Sequence, residues 1–258
     1  MAKVPISAIY LGRAGFKKST FNWHEPFYIK RTYEDGEILT PAESLNKTSS
    51  ISLEGSSSMS YTWVGGVDGD NGTDPGGGIF NYTKTAKRGD RVFFQQPVYY
   101  ENGYSWDSEL GSPHIKFMRV KTESGHLDIY YDRELSQFKF IYEGGGGWSY
   151  DFPADGPPPT GRWVYYQIAI QLDTIPKSSN GEAEVWFWRD GQRLAHITDK
   201  PTLASEDNTA HYPQCTTFWN GNVTQTQTCY FDSVEWTNIM PSTTDSDGWP
   251  RLESATNA

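Results

Sequence analysis

The chain has 258 residues, 15% of them aromatic, including 10 Trp and 16 Tyr, and a formal net charge of −10. That acidic balance argues against nucleic acid, whose partners present a basic face, and less strongly against a polyanionic substrate, since a local basic groove is compatible with it. No apolar run approaches the roughly 20 residues of a membrane span, so no membrane partner is expected.

The opening stretch, MAKVPISAIYLGRAGFKK, lacks the apolar core and small-residue cleavage site of a secretory signal. This fits a mature chain, or a protein that leaves the cell by lysis or assembly as phage proteins do. An extracellular or virion-associated location is expected. Residues 1–60 read as N-terminal strands and loops, with a strand in FYIKRTYE (27–34) and a Ser-rich pair in 44–64. The next segment, GGVDGDNGTDPGGG (65–78), is a loop. Its Asp68, Asp70, Asn71 and Asp74 alternate with glycines and offer the oxygens that Ca²⁺ prefers. The spacing departs from an EF-hand loop, and a plain acidic turn is the other reading.

Beyond it nearly everything reads as strand: 91–100, 114–121, 126–132, 137–143, 163–173, 183–188, 192–197, 216–220 and 229–236, separated by Gly-, Asn- and Pro-containing turns. Cys215 and Cys229 flank a stretch that reads as strand, turn, strand. They are either two buried thiols or a disulfide closing a hairpin, worth about 3 kcal/mol. The tail 242–258 is polar and expected to be loosely held. Many short antiparallel strands without a helix predict an all-β, two-sheet antiparallel jelly-roll sandwich, one domain over 1–258.

EVWFWRDGQRLAHI (184–197) sharpens the prediction. Asp190-Gly191 is a strong two-residue hairpin signal. It would set Arg189 opposite Gln192, Trp188 opposite Arg193, Phe187 opposite Leu194 and Trp186 opposite Ala195. Alternation puts Val185 and Phe187 on one face, Trp186 and Trp188 on the other. In WVYYQIAIQLD (163–173), Val164, Tyr166, Ile168, Ile170 and Leu172 form a core face, and Trp163, Tyr165, Gln167, Ala169 and Gln171 the other. Rings and planar amides suit a sugar, whose C–H faces stack on aromatics and whose hydroxyls need such partners. Trp163, Tyr165, Gln167, Gln171, Trp186 and Trp188 are therefore candidate glycan-binding residues. The competing reading is a second core layer covered by N-terminal strands or long loops.

GRWVYYQIAIQLDT…GEAEVWFWRDGQRLAHI (161–197) resembles a stretch of the concanavalin A-like jelly rolls, closest in look to the polysaccharide-lyase branch (heparin lyase I-like and glucuronan lyase-like) and related uncharacterised phage and bacterial proteins. The likeness covers about residues 75–240 and speaks to fold. It implies β-elimination on a uronate polymer, with a Gln, Asn or Arg neutralising the carboxylate, a His or Tyr taking the C5 proton and a Tyr protonating the leaving oxygen. On this chain the implied candidates are His114 and Tyr130, with Gln95, Arg91 or Lys116 on the carboxylate. They would converge with Trp163 and Tyr165 if their strands are neighbours. His126 and His196 are weaker candidates, His196 being read as core opposite Val185. The local signatures of the known alginate lyases are absent, as is the two-carboxylate strand of the related glucanases, which argues against a retaining hydrolase. The resemblance also favours Ca²⁺, in the acidic loop or near a terminal strand at Asp232 and Glu235.

These readings lead to a carbohydrate (polysaccharide)-binding jelly-roll protein, a phage or surface-adhesion component. A polysaccharide lyase is the first alternative. A structural virion protein, whose aromatic face serves homo-oligomer or virion assembly, is the second.

Overall fold

The computed structural model describes residues 25–32, 45–65, 77–79, 85–107, 114–122, 125–143, 147–154, 156–173, 181–202, 212–219 and 223–254. Their strands are β1 (Tyr28–Arg31), β2 (Leu45–Thr48), β3 (Ser58–Trp63), β4 (Gly77–Ile79), β5 (Arg91–Tyr100), β6 (His114–Thr122), β7 (Gly125–Asp132), β8 (Gln137–Glu143), β9 (Trp148–Pro153), β10 (Trp163–Gln171), β11 (Ala183–Arg189), β12 (Gln192–Lys200), β13 (Tyr212–Trp219), β14 (Gln227–Phe231) and β15 (Val234–Thr237). All pairings are antiparallel. A nine-stranded sheet runs β12-β11-β10-β5-β14-β3-β2, with β15 also on β5 and β1 on β15. A six-stranded sheet runs β4-β13-β6-β7-β8-β9. The two pack face to face as a jelly-roll sandwich.

The alternation read in β10 holds. Val164, Tyr166, Ile168 and Ile170 enter the main core with Val92, Phe94 and Val98 of β5. From the six-stranded sheet come Leu127, Ile129 and Tyr131 of β7 and Phe138 and Phe140 of β8. Phe187 sits at the centre, 5.4 Å from Phe138, 5.9 Å from Phe140 and stacked on Tyr166 at 6.1 Å. Each such fully buried side chain contributes about 1.5–3 kcal/mol from area alone.

The β11–β12 hairpin turns at Asp190 (φ 50°) and Gly191 (φ 78°), the two left-handed residues that a type I′ turn needs. Arg189 faces Gln192 and Trp188 faces Arg193, as the turn predicts. The register then slips by one residue, so Phe187 faces Ala195, Trp186 faces His196 and Val185 faces Ile197. His196 thus opposes Trp186, not Val185. A bulge of this kind leaves one residue unpaired, here Leu194.

Three further differences have physical causes. CYFDSVEW is two strands, because Ser233 takes φ 49° and Asp232 accepts the backbone N–H groups of Leu53, Glu54 and Ser233, fixing a kink between β14 and β15. The two cysteine-bearing strands do not form a hairpin: β13 lies in the six-stranded sheet and β14 in the nine-stranded one, where Cys229 is a buried thiol. The segment 240–254 is not a loose tail. It crosses the outer face of the nine-stranded sheet, where Leu252, Met240 and Trp249 form a second small core with Phe93, Ala169, Trp186 and Trp188.

Much of the 161–197 motif is scaffold. Gly161 (φ 72°) and Gly181 (φ 75°) hold left-handed turns, and a Cβ on Gly181 would come within 2.3 Å of the Pro201 backbone. Asp173 accepts N–H groups from Glu182 (2.5 Å) and Thr202 (2.6 Å), stapling the ends of β10, β11 and β12.

Candidate functional site

The sandwich has two outer faces, and the candidate residues divide between them. Alternation from the core positions Leu127, Ile129 and Tyr131 sends His126, Asp128 and Tyr130 to the outer face of the six-stranded sheet. The register adds neighbours from each side. Lys116 of β6 and Lys139 of β8 both face Tyr130, Arg119 faces Asp128, and His114 is the Cα partner of Asp132. So His114, Lys116 and Tyr130 do lie on adjacent strands.

Asp128 is fully buried at the centre of this face. Arg119 grips it with both arms, Nε at 2.6 Å and Nη2 at 2.9 Å, the two-point geometry in which guanidinium matches carboxylate best. His126 Nε2 stands 3.2 Å from Asp128 Oδ2, and Tyr130 donates its hydroxyl to the same oxygen at 3.3 Å. Burial works to raise the Asp128 carboxyl. The hydrogen bonds from His126 and Arg119 outweigh it and hold the group below the ordinary carboxylate range. Lys116 places its ammonium 5.2 Å from the centre of the Tyr130 ring, within cation–π reach. Among the described residues no carboxylate lies within ion-pair distance of Lys116, whereas Lys139 is 3.4 Å from Asp151. Lys116 is thus a half-buried ammonium on an aromatic ring, beside an Asp128 already paired with Arg119, on a protein of net charge −10.

The remaining candidates lie on the other side of the molecule. Gln95 and Arg91 belong to β5, and Trp163, Tyr165, Gln167 and Gln171 to β10, all pointing out of the nine-stranded sheet. They cannot converge with His114, Lys116 and Tyr130, because the whole core separates them. Gln167 donates to the Gln95 carbonyl oxygen and to Leu252 O at 2.8 Å. Trp188 donates its indole N–H to Asp245, Trp249 lies 5.3 Å from Trp186, and the Arg91 guanidinium sits 5.5 Å from the Trp186 ring. Gln95, Gln167, Trp186 and Trp188 are each at most 3% exposed. Their rings and amides form the second core layer, and among the described residues the cover is a long loop, the C-terminal segment. The same cover removes the tryptophans of β11 from any assembly interface. What remains beside Trp186 is a small cleft lined by Arg91, Phe93, Ala169, Trp249 and Pro250.

The Ca²⁺ candidates Asp68, Asp70, Asn71 and Asp74 lie outside the described residues. The other candidate pair does not suit a metal. Asp232 directs its oxygens at three backbone N–H groups, and Glu235 accepts from Tyr28 at 3.0 Å. Among the described residues no three metal-ligating side chains cluster. Sequence reading missed Arg119 and Asp128 as site members. Their i, i+9 spacing across a β6–β7 hairpin of opposite charges was the signal available.

No family model and no curated protein matches the chain. Solved structures do. The chain is similar to the endo-β-1,4-glucuronan lyase of the fungus Trichoderma reesei, with a TM-score of 0.61 and 12% identity over 88% of this chain and 99% of that one. It is similar to the Chlorella virus alginate lyase vAL-1 (TM-score 0.57, 14% identity, 82% and 99% covered). It is also similar to a mutant of the alginate lyase Aly36B in complex with an alginate trisaccharide (TM-score 0.55, 11% identity, 83% and 99% covered). At these identities the likeness is one of fold. It agrees with the concanavalin A-like resemblance carried by residues 161–197.

Proposed function

We propose that this protein is a polysaccharide lyase that cleaves a uronate-containing glycan by β-elimination on the outer face of the six-stranded sheet. The observation that carries the reading is Lys116, an ammonium without a carboxylate partner among the described residues, seated on Tyr130 beside the Arg119–Asp128 pair. The fold shared with glucuronan and alginate lyases supports it. Elimination needs the C5 proton of a uronate made acidic, and a cation against the carboxylate does that by stabilising the charge that develops there. In this scheme Lys116 holds the carboxylate and His114, two residues earlier on β6, takes the C5 proton. The C4–O bond breaks as the C4=C5 double bond forms; the Tyr130 hydroxyl, turned from Asp128, gives its proton to the leaving oxygen and is reprotonated from His114. Gln95 and Arg91 have no part in it.

The test is a panel of alginate, glucuronan, heparin, chondroitin and pectate, followed by the ultraviolet absorbance of the unsaturated product. A rise with one polymer that disappears in Lys116→Ala is expected. A flat trace across the panel from folded protein would overturn the lyase reading. Retention on one of those polymers without cleavage would then restore the carbohydrate-binding reading.

A further inference from the structure

The outer face of the nine-stranded sheet is not wholly covered by the C-terminal segment. Past its edge, one register row crosses five strands. Trp163 of β10 faces Tyr99 of β5, Tyr99 faces Tyr230 of β14, Tyr230 faces Ser60 of β3, and Ser60 faces Asn46 of β2. Trp163 and Tyr99 are half-buried and meet edge to face at 5.8 Å, and Tyr99 meets Tyr230 at 6.0 Å. Neighbouring strands lie about 4.8 Å apart, so Trp163 and Tyr99 form a continuous pair of half-buried rings, backed by the buried Tyr230. Tyr230 donates its hydroxyl to Glu101 Oε1 at 2.8 Å and Thr228 its backbone N–H to Oε2 at 3.2 Å, which fixes the inner ring and a half-buried carboxylate at the margin.

We propose that this row is a second carbohydrate-binding site, and that its ligand is a neutral glycan. The two rings offer stacking area to the C–H faces of successive pyranoses, and hydroxyl and carboxylate neighbours accept the sugar O–H groups. Charge selects the class of sugar. Arg162, the residue before Trp163, is held by Asp190 at 2.7 Å, while Glu101 adds negative charge. A polyuronate would meet repulsion here, whereas the opposite face carries Lys116. The two outer faces are therefore complementary to different polymers, and the second site would hold the protein to a mixed matrix while the first engages the acidic chain. The inference does not depend on the lyase reading.

Affinity electrophoresis through gels containing barley β-glucan, xylan, galactomannan or hydroxyethylcellulose tests it. Retardation by at least one of these is expected. In Trp163→Ala/Tyr99→Ala the association constant should fall about tenfold or more, the scale of losing stacking contacts worth ~1.4 kcal/mol. Trp163→Phe, which keeps a ring, should bind within about threefold of the parent. Circular dichroism of each variant confirms the sandwich. Absence of retardation on all four gels, or equal retardation of the folded double variant, overturns the proposal. Loss of uronate cleavage in Lys116→Ala with the retardation intact keeps the two sites separate.

Discussion

The indole N–H of Trp188 donates to Asp245 Oδ2 at 2.9 Å, and Arg193 reaches the same oxygen at 3.2 Å. Asp245 in turn accepts the backbone N–H groups of Asp247 and Trp249 through its other oxygen. One carboxylate therefore folds the C-terminal segment on itself and pins it to the hairpin beneath. Asp245→Ala leaves the buried Trp188 indole and the Arg193 guanidinium without this acceptor, and should cost about 1–3 kcal/mol in chemical denaturation. An unchanged midpoint would show that the segment is held by apolar packing alone.

The division of candidate residues between two faces makes a second prediction. Arg91→Ala and Gln95→Leu should leave uronate turnover unchanged, since neither reaches the six-stranded sheet. Gln95→Leu should nevertheless lower stability by about 1 kcal/mol, because the Gln167 amide loses one of its acceptors inside a buried layer and keeps Leu252 O. A fall in turnover from folded Arg91→Ala would contradict the placement of the site.

Asp128 sets a pH dependence. Its carboxyl is held below the ordinary range in the folded protein, so the unfolded chain binds the proton more tightly. The stability it contributes is present above the unfolded value, near pH 4, and is lost as pH falls through the folded value. Denaturation of the parent and Asp128→Asn should therefore differ most near neutrality and converge as pH falls below the ordinary carboxylate range. A difference that stays constant through that fall would mean that Arg119 and His126 do not stabilise the charged form.

Gly181→Ala puts a Cβ within 2.3 Å of the Pro201 backbone at a left-handed residue, and neither neighbour can give way without moving β12. A loss of about 2–4 kcal/mol is expected, seen as a fall of roughly 6–12 °C in Tm.

The strands and the inner face of β10 were legible because both are local: alternation needs only a few residues, and a two-residue turn names itself. The identity of each outer face was not. Trp186 and Trp188 present the same pattern whether they line an open groove or lie under a segment 50 residues further on, and only the assembled sheet decides. The polar appearance of 242–254 concealed its three anchors, Asp245, Trp249 and Leu252, because their spacing follows a strap rather than a helix or strand. The candidate site was half legible. Lys116 and Tyr130 were read on strands that do prove adjacent, while Arg119 and Asp128 became visible only once the register brought them together.

The strap also sets an order of events during synthesis. Every strand of both sheets has left the ribosome before Trp249 does, so a nascent chain can complete its sandwich while Phe93, Trp186 and Trp188 still face water. For that interval it carries an adhesive patch that the finished molecule hides, and a chain released early, short of residue 245, would carry it permanently.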